Sequence, residues 1–344
     1  MGASVGLGRR RHGACSISFD VSGGPSRGLP SLAAGRARVP RCIGAVRGRE
    51  QGPTVVITGG LHGNEPAGVS AAAAVLAELD SVRHALRGNV VALSGNRAGL
   101  ERGARFVSRD LNRNWHAKSL ERLGAASLHE LRGEDREQRE LHDAFLALER
   151  EASSVVVLDL HTTSGPSEPF VCVADTSGSR EIASALPVAA VVGLERKIDG
   201  AMVSWCAARG HVALSFEAGQ HADPVARRRH VAAIWTVLVA VGAVDLPNVP
   251  GRETHRPALL PSGGRARVVE VRHRHVVRAG DDFEMLGRFE SFDPIEAGQI
   301  VARDRRGPVR APESGLMLMP RYQAQGEDGF FVAREVIALS RNVS

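Results

Sequence analysis

Between residues 52 and 245, apolar runs alternate with stretches of helical periodicity. Continuous apolar runs of strand length are typical of strands that are covered on both faces. The four clearest runs are TVVITGG (54–60), NVVAL (89–93), VVVLDL (155–160) and HVALSFE (211–217). We therefore predict four buried strands in this part of the chain.

Helical periodicity fills the intervals between these runs. Pro66 precedes the predicted helix VSAAAAVLAEL, because proline suits the first turn of a helix. Within 134–151, Leu141, Phe145 and Leu148 recur at spacings of four and three, which predicts a helix with one apolar face. Alternating strands and helices predict an α/β fold with a mixed, mainly parallel sheet that is flanked by helices.

The pattern changes near Asp245. Residues 246–264 are rich in turn formers, and short strand-like pieces follow without helical periodicity, which predicts a small C-terminal all-β domain. Residues 1–40 are rich in Gly, Ser, Arg and Pro and predict a flexible segment. The predicted organisation is a flexible segment over 1–40, a catalytic domain over 41–245 and a β domain over 253–344.

The net charge of +6 is concentrated at the N-terminus. Residues 1–50 carry nine arginines against Asp20 and Glu50, so the remaining 294 residues have a balance of −1. The body of the protein is therefore close to neutral, and no nucleic-acid-binding motif accompanies the arginines. We expect a small-molecule substrate and no nucleic-acid partner, and the oligomeric state, including a homo-oligomer, stays open.

The cysteines and the apolar runs bear on location. Cys15, Cys42, Cys172 and Cys206 lie far apart and include no CxxC pair, which indicates reduced thiols rather than a disulfide framework. The longest apolar run, 232–244, has 13 residues, whereas a membrane span needs roughly 20. These features predict a cytoplasmic protein without a membrane partner.

Histidine and acidic residues follow three of the predicted strands. His62 and Glu65 come after strand 54–60, His161 directly follows strand 155–160, and Glu217 ends strand 211–217. In an open α/β sheet, ligands bind outside the carboxyl ends of the strands. An isolated HxxE pair is common by chance, but side chains delivered by neighbouring strand ends favour one shared site.

Two histidines and one carboxylate are the ligands of many catalytic zinc sites, in which water occupies the fourth position. We predict that His62, Glu65 and His161 bind one zinc ion per chain. Asp159, two residues before His161, is the predicted hydrogen-bond partner of that histidine. Glu217 is then the candidate that accepts a proton from the water.

Four stretches with these residues resemble the succinylglutamate desuccinylase/aspartoacylase family, whose members are relatives of the zinc carboxypeptidases. The stretches are GGLHGNEPAG (59–68), SRDLNRNW (108–115), DLHTTSG (159–165) and SFEAGQH (215–221). The resemblance implies the zinc carboxypeptidase-like fold, zinc bound by His62, Glu65 and His161, and Glu217 as catalytic base. It also implies that Asn112 and Arg113 hold a substrate carboxylate.

Further substrate contacts follow less directly from the resemblance. Arg105 is expected to help Asn112 and Arg113 bind the carboxylate, since a guanidinium binds a carboxylate through two parallel hydrogen bonds. Family members often carry another arginine about ten residues before the base; position 207 is alanine here, and Arg209 is a near match. Tyr322, the single tyrosine, is the candidate for a pocket tyrosine from the C-terminal part.

The predicted function is zinc-dependent hydrolysis of the amide bond of an N-acyl amino acid, with an acyl group such as acetyl or succinyl. A zinc carboxypeptidase acting on a short peptide would use the same metal ligands and base. A non-catalytic zinc-containing binding module is the alternative from another class, and the presence of Glu217 with all three ligands disfavours it. The sequence leaves the acyl group, the amino acid and the pathway open.

Overall fold

The computed structural model describes residues 39–152, 155–261 and 266–336. The strands are β1 Cys42–Arg47, β2 Glu50–Gly59, β3 Arg87–Ser94, β4 Val155–Thr163, β5 Phe170–Val173, β6 Ala189–Val192, β7 Val212–Gln220, β8 Val268–Val276, β9 Glu284–Met285, β10 Pro294–Ile295, β11 Ile300–Asp304, β12 Gly307–Arg310, β13 Gly315–Leu318 and β14 Asp328–Val336. The helices are α1 Ala67–Ser81, α2 Arg97–Arg102, α3 Ala117–Ala125, α4 Gly133–Glu151, α5 Ser177–Ala185, α6 Met202–Ala208, α7 Ala226–Ala240 and α8 Arg252–Leu259. The predicted α/β fold is confirmed.

The central sheet has eleven strands in the order β1-β3-β2-β4-β7-β5-β6-β8-β14-β13-β10. Strands β3, β2, β4 and β7 are mutually parallel, and β5, β6 and β8 form a second parallel group that meets β7 antiparallel. The four apolar runs predicted as strands correspond to β2, β3, β4 and β7. Because β2, β4 and β7 are parallel neighbours, their carboxyl ends meet at one edge of the sheet.

Helices cover both faces of this sheet. Helices α1 and α7 pack on one face over residues such as Val55, Ile57 and Phe216, and α4 and α6 pack on the other over Val56 and Val157. The predicted apolar face of the 134–151 helix is confirmed, because Leu141, Phe145 and Leu148 are buried in the second core cluster. Successive residues of each strand point to opposite faces of the sheet, as expected because side-chain direction alternates along a strand with a period of two.

The C-terminal strand-like pieces form strands, and most of them extend the central sheet. β8 pairs with β6, and β14, β13 and β10 follow as antiparallel neighbours. β9, β11 and β12 form a separate three-stranded antiparallel sheet. The turn-rich stretch after Asp245 contains α8, which the sequence analysis did not predict; Leu259 is buried there against the core under α7.

Two of the predictions concern residues that are only partly described. The flexible segment predicted over 1–40 lies outside the described residues except for positions 39 and 40, and so does Cys15. Cys42, Cys172 and Cys206 form no disulfide with one another within the described ranges.

None of the helices in the described part of the chain is long and apolar enough to cross a membrane.

Candidate active site

The turn after β2 carries His62 and Glu65, which are 4% and 2% exposed. Gly63 lies between them, and its N–H donates a hydrogen bond of 3.0 Å to the carbonyl oxygen of Arg105. A Cβ at position 63 would lie 2.0 Å from the carbonyl carbon of Gly99. Only glycine therefore allows the turn to pack this closely against α2, and this contact holds both side chains in place.

His161 completes a cluster with these two residues. Glu65 lies between the histidines, with Oε1 at 2.9 Å from Nδ1 of His62 and Oε2 at 2.9 Å from Nδ1 of His161. The backbone N–H of Thr162 donates a hydrogen bond of 3.0 Å to Oε2. One ligand atom from each of the three residues lies within 4.8 Å of the other two. The structure thus brings together the three residues predicted to bind zinc.

The outer nitrogens of both histidines face carboxylates. Nε2 of His161 lies 2.7 Å from Asp159 Oδ2, and Thr58 donates a hydrogen bond of 2.6 Å to Asp159 Oδ1. Nε2 of His62 lies 3.2 Å from Asp110 Oδ1. Such a carboxylate accepts the Nε2 proton and leaves Nδ1 as the metal-binding nitrogen. Asp159 is the partner predicted for His161, whereas Asp110 was not predicted from the sequence, although SRDLNRNW contains it.

The electrostatics of the cluster favour a positive charge between the carboxylates. Burial alone would lower the pKa of His161, but Asp159 and Glu65 hold that pKa well above its usual value. Burial alone would raise the pKa of Glu65, yet His62 and His161 hold it well below its usual value. A cation at the centre of the cluster would therefore be stabilised by its surroundings.

The donor set fits a zinc ion. Two imidazole nitrogens and one carboxylate oxygen are typical zinc ligands, and the donors of a tetrahedral zinc lie about 3.4 Å apart. The separation of 2.9 Å between each Nδ1 and its Glu65 oxygen is close to this spacing. Small outward shifts of the side chains would accommodate the ion.

Glu217 lies beside the cluster, because β7 pairs with β4 so that Glu217 is opposite His161. The residue is 8% exposed, and its buried Oε2 has no hydrogen-bond partner among the described residues. Burial raises the pKa of Glu217 to about 8; the charge of His161 opposes this shift, and the charges of Glu65 and Asp159 support it. A divalent cation in the cluster would act in the opposite direction. Glu217 can therefore exchange a proton with a water at the cluster.

Arg105 lies next to the cluster and lines the same cavity as Arg113. Its Nε donates a hydrogen bond of 3.1 Å to Asp110 Oδ2, and its Nη1 lies 3.8 Å from Glu65 Oε1. The residue is 9% exposed. Its charge therefore lies beside the histidine–glutamate cluster.

Asn112 and Arg113 lie in a short 3₁₀ turn at another wall of the same cavity. Asn112 Oδ1 accepts a hydrogen bond of 2.8 Å from the N–H of Met202. Nη2 of Arg113 contacts Asp328 Oδ2 at 2.5 Å, and Arg274 donates to Asp328 Oδ1 at 2.6 Å. Asp328, at the start of β14, ties the C-terminal strands to the site, a role for which the sequence offered no signal.

Tyr322 does not line the cavity. Its hydroxyl donates a hydrogen bond of 3.0 Å to the carbonyl oxygen of Gly287 and accepts one of 2.7 Å from the N–H of Phe289. The side chains that line the cavity here belong to Arg321 and Gln323, on either side of Tyr322. The placement does not support the substrate contact predicted for Tyr322, because the backbone of the C-terminal part holds its hydroxyl.

Arg209 also lies outside the cavity lining. Its guanidinium donates hydrogen bonds of 2.7 and 2.5 Å to the carboxylate of Glu149 and lies 5.2 Å from the ring centre of Trp205. The cavity, about 140 Å³ in volume, contains the other residues predicted to act on a substrate. They are His62, Glu65, Arg105, Asn112, Arg113, His161 and Glu217. Asp159 lies behind His161.

A family model for the succinylglutamate desuccinylase/aspartoacylase catalytic domain matches residues 51–231. The chain belongs to the succinylglutamate desuccinylase/aspartoacylase family. The resemblance drawn from the four motifs is thereby confirmed. Residues 51–231 include the histidine–glutamate cluster, Glu217, Asn112 and Arg113, and they exclude the C-terminal strands.

Solved structures show the same fold at low sequence identity. The succinylglutamate desuccinylase of Vibrio cholerae is 18% identical, with a TM-score of 0.60 over 83% of this chain and 82% of that chain. A succinylglutamate desuccinylase/aspartoacylase from Rhodobacter sphaeroides is 20% identical, with a TM-score of 0.60 over 85% and 88%. The product-bound ectoine utilization protein EutE (DoeB) of Ruegeria pomeroyi is 18% identical, with a TM-score of 0.57 over 85% and 87%. A comparison with curated proteins finds no match.

Proposed function

We propose that this protein is a zinc-dependent deacylase that hydrolyses the amide bond of an N-acyl amino acid. The observation that carries the proposal is a single cavity in which three clustered metal-ligand side chains adjoin Glu217, whose buried Oε2 has no hydrogen-bond partner among the described residues. Membership of the family supports hydrolysis of an acylated amino acid. Zinc, when bound, would polarise the amide carbonyl and lower the pKa of a coordinated water.

Glu217 performs the proton transfers in this proposal. Its buried Oε2 accepts the proton of the attacking water and then donates it to the nitrogen of the leaving amine. Glu217 is not needed as a ligand, because His62, Glu65 and His161 complete a three-residue set and leave the fourth position to water. Its location opposite His161 supports this division of roles.

The two arginines act at different atoms of the substrate. Arg105 stabilises the negative charge that develops on the carbonyl oxygen. Its Nη1 lies 3.8 Å from Oε1 of Glu65, a proposed zinc ligand, and this proximity to the cluster supports the role. Arg113 binds the α-carboxylate with the help of Asn112. Arg113 shares Asp328 with Arg274, and Arg274 also lies 3.8 Å from Glu327.

The proposal also assigns a role to each of two parts of the chain. Residues 41–245 form the catalytic part, and residues 253–344 form the smaller part that borders the pocket. Met319, Arg321 and Asp328 line the cavity, which supports the second assignment. The pairing of β8 with β6 joins the two parts through one sheet.

The test is a hydrolysis assay of the zinc-loaded protein with N-acetyl, N-formyl and N-succinyl amino acids and with short peptides. We expect release of the amino acid from N-acyl substrates. Glu217→Gln is the matched control: it should keep zinc and lose about 10²-fold or more in kcat, the range for lost acid–base catalysis. Turnover of short peptides alone would identify a carboxypeptidase, and near-normal turnover by Glu217→Gln would place the base elsewhere.

A further inference from the structure

The loop between β13 and β14, residues 319–327, lies against the segment that carries Arg105. We call it the C-terminal loop. In this loop, the side-chain amide of Gln325 binds the backbone of Phe106, the residue after Arg105. Its Nε2 donates a hydrogen bond of 3.0 Å to the carbonyl oxygen of Phe106, and its Oε1 accepts a longer one of 3.4 Å from the N–H. Gln325 thus binds both backbone polar groups of the residue next to Arg105.

The next residue of the C-terminal loop, Gly326, contacts Arg105 itself. Its φ is +116°, in the region that favours glycine, and a Cβ at this position would lie 3.4 Å from Nε of Arg105. Gly326 and Arg105 both line the cavity. Because position 326 has no side chain, the backbone of the C-terminal loop can pass close to the guanidinium of Arg105.

The segment around Arg105 depends on such contacts, because residues 104–109 belong to neither a helix nor a strand. On one side, the carbonyl oxygen of Arg105 accepts a hydrogen bond of 3.0 Å from the N–H of Gly63, in the turn of the histidine–glutamate cluster. On another side, Glu134 in α4 accepts a hydrogen bond of 2.6 Å from the N–H of Val107. A shift of this segment would therefore change the position of Arg105 relative to the cluster.

We propose that Gln325 is a positioning residue that fixes Arg105 beside the histidine–glutamate cluster. This inference rests on the proposed function, in which Arg105 stabilises the charge on the carbonyl oxygen. A group that acts in this way must be held in place before the reaction, and a displacement of about 1 Å can lower the rate by about 10²-fold. The family match ends at residue 231, so Gln325 supports the catalytic domain from a part of the chain outside that match.

The test is a double-mutant cycle between positions 325 and 105, measured as kcat and KM of the zinc-loaded protein with a substrate that the wild type hydrolyses. Gln325→Leu keeps a similar volume and removes both hydrogen bonds to Phe106. It should lower kcat by about tenfold and leave KM unchanged, because the substrate carboxylate binds at Arg113. In an Arg105→Ala protein the same change should leave kcat unaltered, since the group that Gln325 positions is absent.

Gln299→Leu is the matched control. Gln299 is an exposed glutamine of the C-terminal part whose Oε1 accepts a hydrogen bond of 2.9 Å from the N–H of Glu296, so its replacement should leave kcat unchanged in both backgrounds. Gln325→Asn keeps the amide on a side chain that is one methylene shorter. It should behave as Gln325→Leu does, and it takes the place of that variant if the leucine protein does not fold. Normal kcat in either variant, equal losses with and without Arg105, or a change in KM alone overturns the inference.

Failure of the inference can be told from failure of the proposed function. If the zinc-loaded wild type hydrolyses no N-acyl amino acid, the proposed function fails, and amide hydrogen exchange decides whether Gln325 positions the Arg105 segment. The N–H of Gly63 reports on that segment, because it donates to the carbonyl oxygen of Arg105. Gln325→Leu should raise its exchange rate by about tenfold and Gln299→Leu should not. An unchanged rate in Gln325→Leu, or an equal rise in both variants, overturns the inference.

Discussion

His230 is a buried histidine whose replacement should change how the stability of the protein depends on pH. It lies in α7, is 0% exposed, and packs at 5.8 Å between ring centres against Phe216 in β7. Neither ring nitrogen has a hydrogen-bond partner among the described residues. Burial, with a smaller contribution from the charge of His161, lowers the pKa of His230 from 6.5 to about 3. The folded protein therefore keeps this ring neutral in mildly acidic solution.

The sign of the effect follows from proton binding. Below pH 6.5 the unfolded chain binds a proton at His230 that the folded protein does not bind, so stability falls as the pH falls. The loss continues down to the folded pKa of about 3. With pKa values of 6.5 and about 3, the free energy of unfolding should drop by about 2 kcal/mol between pH 7.5 and pH 5 because of this residue alone.

The measurement is urea unfolding at pH 7.5 and pH 5 for the wild type and for His230→Leu, which removes the titrating group and keeps a similar volume. The wild type should lose about 2 kcal/mol more than the variant between the two pH values. Taking the difference cancels contributions that both proteins share, including those of other titrating groups. His84→Leu, at an exposed position, is the control and should follow the wild type. Equal losses in wild type and His230→Leu would refute the reasoning.

Three further predictions concern the active site. The purified protein should hold about one zinc per chain by elemental analysis, since three ligands converge; His161→Ala should lose the metal, and full occupancy in a His62→Ala/His161→Ala protein would contradict the assignment. Asp110→Asn should weaken zinc binding by about 10- to 100-fold in a chelator competition, because Asp110 holds Nε2 of His62; unchanged affinity would make Asp110 a partner of Arg105 alone. Replacing the substrate carboxylate by a carboxamide should lower kcat/KM strongly in the wild type and much less in Arg113→Ala, whereas additive losses would show that Arg113 does not touch the carboxylate.

The residues of the candidate site that could be predicted from the sequence follow strands. His62, Glu65, His161 and Glu217 stand directly after or at the ends of apolar runs, and parallel strands carry their ends to one edge of the sheet. The geometry of neighbouring β2, β4 and β7 then brings the side chains together. Local pattern was sufficient here, because the periodicity of the chain and the direction of a parallel sheet determine where a strand ends.

Other contacts depend on segments that are far apart in the chain. Asp328 meets Arg113 across 215 positions, and Arg321 rather than Tyr322 reaches the cavity. The turn of the loop between β13 and β14 decides which of these neighbouring residues lines the cavity, and no periodic pattern in the sequence predicts that turn. The extension of the central sheet by β8, β14, β13 and β10 likewise depends on which edge strand is available for pairing.

The amino-acid sequence alone was enough to derive the α/β class, the strands that deliver the site residues and the three residues that cluster as proposed zinc ligands. These properties follow from short-range patterns: apolar periodicity, turn-forming residues and the residue types at strand ends. The tertiary structure alone assigned Asp110 to His62 and joined Asp328 to Arg113. Such contacts are set by packing between distant segments, where the burial of charge and apolar surface depends on the whole fold and not on any one stretch of sequence.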